Sequence, residues 1–117
     1  MGENFSLPSP DSIMPFADWR RENRHLRFIP VHGDSMEPTL RPGDLAVVDA
    51  TQTTIIGERI YLLEINGAPV IRRVQLWPGR QVRITADHPA LRDHPVIMPR
   101  DDVIALGVVV ICGRHVG

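Results

Sequence analysis

Hydrophobic positions along this chain gather in short runs rich in Val, Ile and Leu: Leu45–Asp49, Arg59–Ile65, Ala68–Trp77, Gln81–Ala86 and Val103–Cys112. Pro42-Gly43, Asn66-Gly67, Pro78-Gly79 and His88-Pro89 divide them, and runs of this length between such pairs predict strands. No helical spacing survives beyond two turns, and no segment repeats at a fixed interval. The pattern predicts a mostly β, barrel-like fold of short strands.

One hairpin can be placed. Asn66-Gly67 between two apolar runs suits a type I′ turn, because both central residues of that turn need positive φ. Side chains on the returning strand alternate between faces. Val70, Arg72, Val74 and Leu76 therefore share one face, and Ile71, Arg73, Gln75 and Trp77 share the other. Arg72 is the one cation on an aliphatic face. Such a charge is costly unless it is paired or opens onto a site. Snorkelling at an exposed strand end would also accommodate it, and the pattern leaves both readings open.

The run Val103 to Cys112 lacks any polar interruption, which suits a strand buried on both faces. In a small domain part of that surface is expected to be covered by another molecule, with a wholly internal strand as the alternative.

Residues 1–28 read as an arm or linker ahead of a domain at 29–117. Pro8, Pro10 and Pro15 interrupt regular structure, and Asp18 to Leu26 could form one or two helical turns carrying Arg20, Arg21 and Arg24. A solvated arm is the favoured reading over contact with a phosphate backbone.

At 117 residues the length suits one domain with a core of its own. A net charge of −1 gives no basic footprint for nucleic acid, so DNA contact is expected only through a domain not present in this chain. The single cysteine, Cys112, forms no internal disulfide and reads as a buried, inert thiol. No apolar stretch reaches the roughly 18 residues of a membrane span, and no secretory leader is evident. A cytoplasmic location, with no membrane association, is the expectation. One cysteine and scattered histidines lack ligand spacing, so no metal or other cofactor is expected.

Candidate chemistry concentrates between Val31 and Asp44. A tight turn through Gly33 precedes Ser35, and a second turn follows at Pro42-Gly43. A serine presented by a sharp turn can expose its hydroxyl beside free backbone N–H groups, as a nucleophile with an oxyanion site requires. A turn serine without chemistry is the commoner case for so short a motif.

The longer string resembles a known family. Gly33-Asp34-Ser35-Met36, then Pro38, then Pro42-Gly43-Asp44 before an apolar strand is similar to the nucleophile motif of the LexA and phage-repressor serine peptidases (S24), which include the UmuD-type mutagenesis proteins. Gly57-Glu58-Arg59-Ile60-Tyr61, Asn66-Gly67, Val70-Ile71-Arg72-Arg73-Val74, Asp87-His88-Pro89 with Pro95-Val96, and Val103 to Val110 with Gly107 continue the likeness in order and spacing over about residues 29–113. The resemblance implies a LexA C-terminal-domain-like fold, a signal-peptidase-like β-barrel or β-clip. It implies a Ser/Lys self-cleaving site with Ser35 as nucleophile and Asp34 and Met36 in the oxyanion turn. It also implies a homodimer paired through the C-terminal strand.

Two departures matter. The position of the general-base lysine is occupied by Arg72. A buried lysine can shed its proton and accept one from serine, whereas a guanidinium is effectively never neutral. Second, the resembled proteins cut an Ala-Gly or Cys-Gly bond upstream of the serine, and neither occurs here before Ser35. His32, His88, His94 and His115 are the other candidate bases, with Asp87-His88 inviting a triad reading. The expected function is a regulatory and dimerisation domain of a LexA-like transcriptional repressor of the SOS-response type, with its autoproteolysis site inactivated by Arg72. The alternatives are an active self-cleaving peptidase captured as a Lys-to-Arg variant, and a soluble signal-peptidase relative.

Overall fold

A computed structural model describes residues 25–113, with side chains described as far as Val110. Seven strands follow in order: β1 (Leu26–Pro30), β2 (Leu45–Asp49), β3 (Arg59–Ile65), β4 (Ala68–Trp77), β5 (Gln81–Thr85), β6 (Val96–Pro99) and β7 (Ile104–Gly113). A short 3₁₀ turn at Arg100–Asp102 precedes β7. The helical turns expected from Asp18 lie outside the described residues up to Arg24, and Leu26 opens β1 instead. The sheet thus reaches three residues into the segment read as an arm.

All pairings are antiparallel, in the order β1-β2-β7-β3-β4-β5-β6. The fold is mostly β, as the pattern predicts. It is not a closed barrel, because β1 and β6 end the sheet without pairing to each other. Local turn chemistry sets strand order but carries no signal for closure.

The β3–β4 hairpin turns through Asn66 (φ 52°) and Gly67 (φ 79°), the positive-φ pair that a type I′ turn demands. Arg72 then faces Tyr61 across the ladder, and Arg73 faces Ile60.

Alternation divides the core between the two faces of the sheet. One cluster gathers Ala46, Val48, Leu62 and Ile71 under Val31, Met36 and Leu40 from the loop after β1. The other gathers Tyr61, Leu63, Val74, Val82, Ile84, Ala105 and Val108 with Ile55 from the β2–β3 loop. Both faces of β4 therefore pack. Val70 lies against the second cluster beside buried Val74, although Leu76 at the strand end is 44% exposed. Tyr61 is fully buried, and its hydroxyl donates to the Gly57 carbonyl at 3.0 Å, fixing the β2–β3 loop over this face.

The closing strand β7 joins β2 and β3 in the sheet: its first half, Ile104–Val108, pairs with β3 and its second, Val108–Gly113, with β2, so Val108 is where the two pairings overlap. Ala105, Gly107 and Val108 are buried, and Leu106 and Val109 pack against the first cluster, so the prediction of a strand covered on both faces holds for that stretch. Ile104 and Val110 are exposed. The Cys112 side chain lies outside the described residues.

Candidate functional site

Ser35 stands on the loop between β1 and β2, which is folded by its own backbone. Val31 N–H donates to the Asp44 carbonyl, and Gly43 N–H donates back to Val31. Glu37 N–H reaches the Asp34 carbonyl at 3.0 Å, and Leu40 N–H reaches Met36 at 2.9 Å, so Ser35 rides on a tight turn. Gly33 (φ 78°) and Gly43 (φ 93°) supply left-handed conformations that a side chain would strain. Buried Asp44 accepts from Arg41 N–H at 2.9 Å and closes the second turn. Met36 and Leu40 drive their side chains into the core beneath, anchoring the loop.

The loop between β5 and β6 clamps the serine turn from the side. His88 N–H donates to the Ser35 carbonyl at 2.9 Å. Asp87 accepts from Arg73 through two bonds, Nε to Oδ1 at 2.9 Å and Nη2 to Oδ2 at 2.8 Å. It also accepts from the Thr39 hydroxyl at 2.6 Å. Arg73 holds the Asp87 carboxyl below the ordinary carboxylate range, and the same bond raises the affinity of Arg73 for its proton. Three segments, the serine turn, β4 and the β5–β6 loop, are thereby joined at one carboxylate.

Ser35 and Arg72 line one cavity of about 210 Å³, with Met36, Leu62 and Ile71 among its walls. The two residues singled out from the sequence thus meet at one site. Among the described residues the Ser35 hydroxyl has no hydrogen-bond partner, nor have the backbone N–H groups of Ser35 and Met36. The side chain of Met36 itself is core, so only its backbone is available to such a site. Arg72 is half-buried, and Nη1 donates to the Ile71 carbonyl at 2.8 Å. Desolvation alone lowers its proton affinity, and no carboxylate among the described residues compensates. A guanidinium so placed can orient and donate, but it does not take a proton from Ser35.

Among the described residues no histidine side chain bonds the Ser35 hydroxyl, although His32 lines the same cavity, and His115 lies outside the described residues. Asp87, spent on Arg73 and Thr39, makes no bond to His88. His88 Nδ1 accepts from Ala90 N–H at 3.0 Å, and Nε2 lies 3.9 Å from the Asp34 carboxylate. Asp34, Glu37 and His88 bring their polar atoms within 4.8 Å of one another, a juxtaposition the sequence spacing did not suggest. The Ala90 bond places the proton of neutral His88 on Nε2, the atom facing Asp34. That nitrogen then presents an N–H and no lone pair toward Asp34, at a separation too long for a hydrogen bond.

The Arg73–Asp87–Thr39 network was also missed. Opposite charges 14 residues apart carry no signal until β4 pairs with β5, which sets Arg73 against Thr85 beside the loop. Among the described residues no helix is long and apolar enough to cross a membrane.

Comparison with known proteins fits this geometry. The family described as Peptidase S24-like is matched over residues 3–110. A 26 kDa repressor protein of Escherichia phage HK022 is 35% identical over 60 residues, which cover 51% of this chain. The match spans 26% of that relative's length. The family model is matched over most of the chain and the sheet is mostly β, and the protein belongs to the Peptidase S24-like family.

Proposed function

We propose that this chain is the regulatory and dimerisation domain of a repressor-like transcriptional regulator whose serine site no longer cuts. The observation that carries the reading is Arg72: half-buried, uncompensated and beside the Ser35 cavity, where the resembled peptidases place a lysine. Lysine in such surroundings can lose its proton and serve as a base, and arginine cannot. The likeness to a phage repressor supports the regulatory role. DNA contact belongs to a separate domain, since a net charge of −1 supplies no overall attraction for a phosphate backbone, and the compartment is the cytosol. The domain pairs with a second copy through β7. β3 pairs with Ile104–Val108 and β2 with Val108–Gly113, so each half of β7 has one edge without a strand partner among the described residues, and pairing uses such an edge together with the exposed side chains of Ile104 and Val110.

The test supplies a peptide spanning an Ala-Gly bond to the wild type and to Arg72→Lys, with product masses read over time. The wild type leaves the peptide intact, Arg72→Lys cleaves it, and adding Ser35→Ala to that variant stops cleavage. Cleavage by the wild type at the rate of Arg72→Lys contradicts the reading. A folded but inert Arg72→Lys would show that more than the base has been lost.

A further inference from the structure

Arg72 lies where two cavities meet. The smaller holds Ser35. The larger, about 490 Å³, falls within the range of ligand sites and is walled by Leu63, Ile84, Leu91, Val96 and Met98. A guanidinium offers five N–H donors, and among the described residues its one bonded partner is the Ile71 carbonyl. Burial of a charge without a counter-ion is costly, and a carboxylate arriving at this junction would remove the cost. The Ser35 hydroxyl beside it is a further unused donor.

The rest of the larger cavity narrows the occupant. Its apolar wall would take an aliphatic side chain. Asn66, Thr85 and Asp102 in the same wall offer acceptors and donors that an alkyl chain would leave unsatisfied and that backbone amides would use. Glu64 and Asp102 disfavour a second negative group on the ligand.

We propose that this site binds the C-terminal carboxylate of a peptide or protein whose last residue is aliphatic, with the carboxylate on Arg72 and Ser35 and the side chain among Leu63, Ile84, Val96 and Met98. The inference rests on the non-cutting reading of Ser35 and Arg72. The change from a base that can be neutral to a fork that is always charged exchanges proton transfer for carboxylate recognition.

The experiment is fluorescence anisotropy with amino-terminally labelled Gly-Ser-Ala-Val-Leu, as free acid and as C-terminal amide. The free acid binds at least about tenfold more tightly than the amide, the margin expected for a charge-assisted bidentate pair. Arg72→Gln abolishes the difference, with circular dichroism confirming that it folds. Met98→Glu, which leaves Arg72 in place, weakens the free acid by repelling the carboxylate and filling the apolar wall. Equal binding of acid and amide overturns the proposal, as does absence of binding up to about 1 mM. Displacement by decanoate at lower concentration than by unlabelled peptide overturns it as well, in favour of a fatty acid. Masses of the same samples separate the two levels. Absent binding with intact protein and peptide removes this inference alone, whereas a Ser35-dependent fragment removes the reading beneath it and this inference together.

Discussion

Arg72 and Arg73 are neighbours in the chain and differ in everything that follows. Alternation turns Arg73 toward Asp87, where two short bonds satisfy it, and turns Arg72 toward the cavities, where no carboxylate among the described residues pairs with it. The position of Arg72 could be read from the hairpin register and the resemblance, because both depend on local spacing. The partner of Arg73 could not, because it arrives on the loop after β5 and meets Arg73 only once β5 has paired with β4. The Asp87 clamp has a testable pH dependence. Its carboxyl has a lowered folded-state pKa, caused first by the Arg73 hydrogen bond and also by Thr39. Its stabilisation is therefore full above the ordinary value of 3.8 and is lost as pH falls through the lowered one. Asp87→Asn should reduce stability at neutral pH by about 2 kcal/mol, in line with hydrogen bonds to charged groups. Urea unfolding should show that deficit shrinking in acid below the ordinary carboxylate value. A deficit unchanged across that range would assign the effect to packing.

Among the elements, β2, β3 and β4 begin and end where the residue runs predict, since each is bounded by strong turn residues. β1 and β6 were harder to see. They are short, carry Pro30 and Pro99 at their ends, and form the two edges of the sheet. The irregularity of β7 could not be read at all from a continuous apolar run. Its register shifts between Leu62 and Leu63 on one side and between Val47 and Val48 on the other. The shifts leave Leu106 and Val110 as the extra residues, and they reset which face each neighbour serves. Gly107 lies at the first of these shifts. A Cβ there would stand 2.5 Å from Val48 Cγ1 and 2.7 Å from the Asp49 carbonyl oxygen. Backbone cannot yield that distance cheaply, so Gly107→Ala should destabilise by about 2–3 kcal/mol. Thermal unfolding checks this, and a melting temperature equal to that of the wild type would contradict the close approach of β2 and β7. Tyr61→Phe removes a buried donor to Gly57 and should cost about 1 kcal/mol in the same measurement.

For the whole molecule, mostly β architecture was legible because turns and strand lengths are local properties. Whether the sheet closes depends on how strands distant in sequence meet, and here β1 and β6 remain apart. The central place of β7 bears directly on the proposed dimer. Val109 packs against the core, so a charge there would unfold the domain, while Val110 is 43% exposed and can accept one. Val110→Glu should shift sedimentation from dimer to monomer with the fold retained. A wild type that is monomeric at high concentration, or a dimer indifferent to Val110→Glu, would contradict pairing through this strand. The central claim, that a permanently charged Arg72 has silenced the serine, is tested most directly by incubating the longest natural form of the protein from neutral to alkaline pH. Intact mass is then followed beside a Ser35→Ala control. A lysine-based site becomes more reactive as its base loses its proton, and a guanidinium does not. No fragment should form at any pH; a fragment that grows with pH and vanishes in Ser35→Ala would contradict the account.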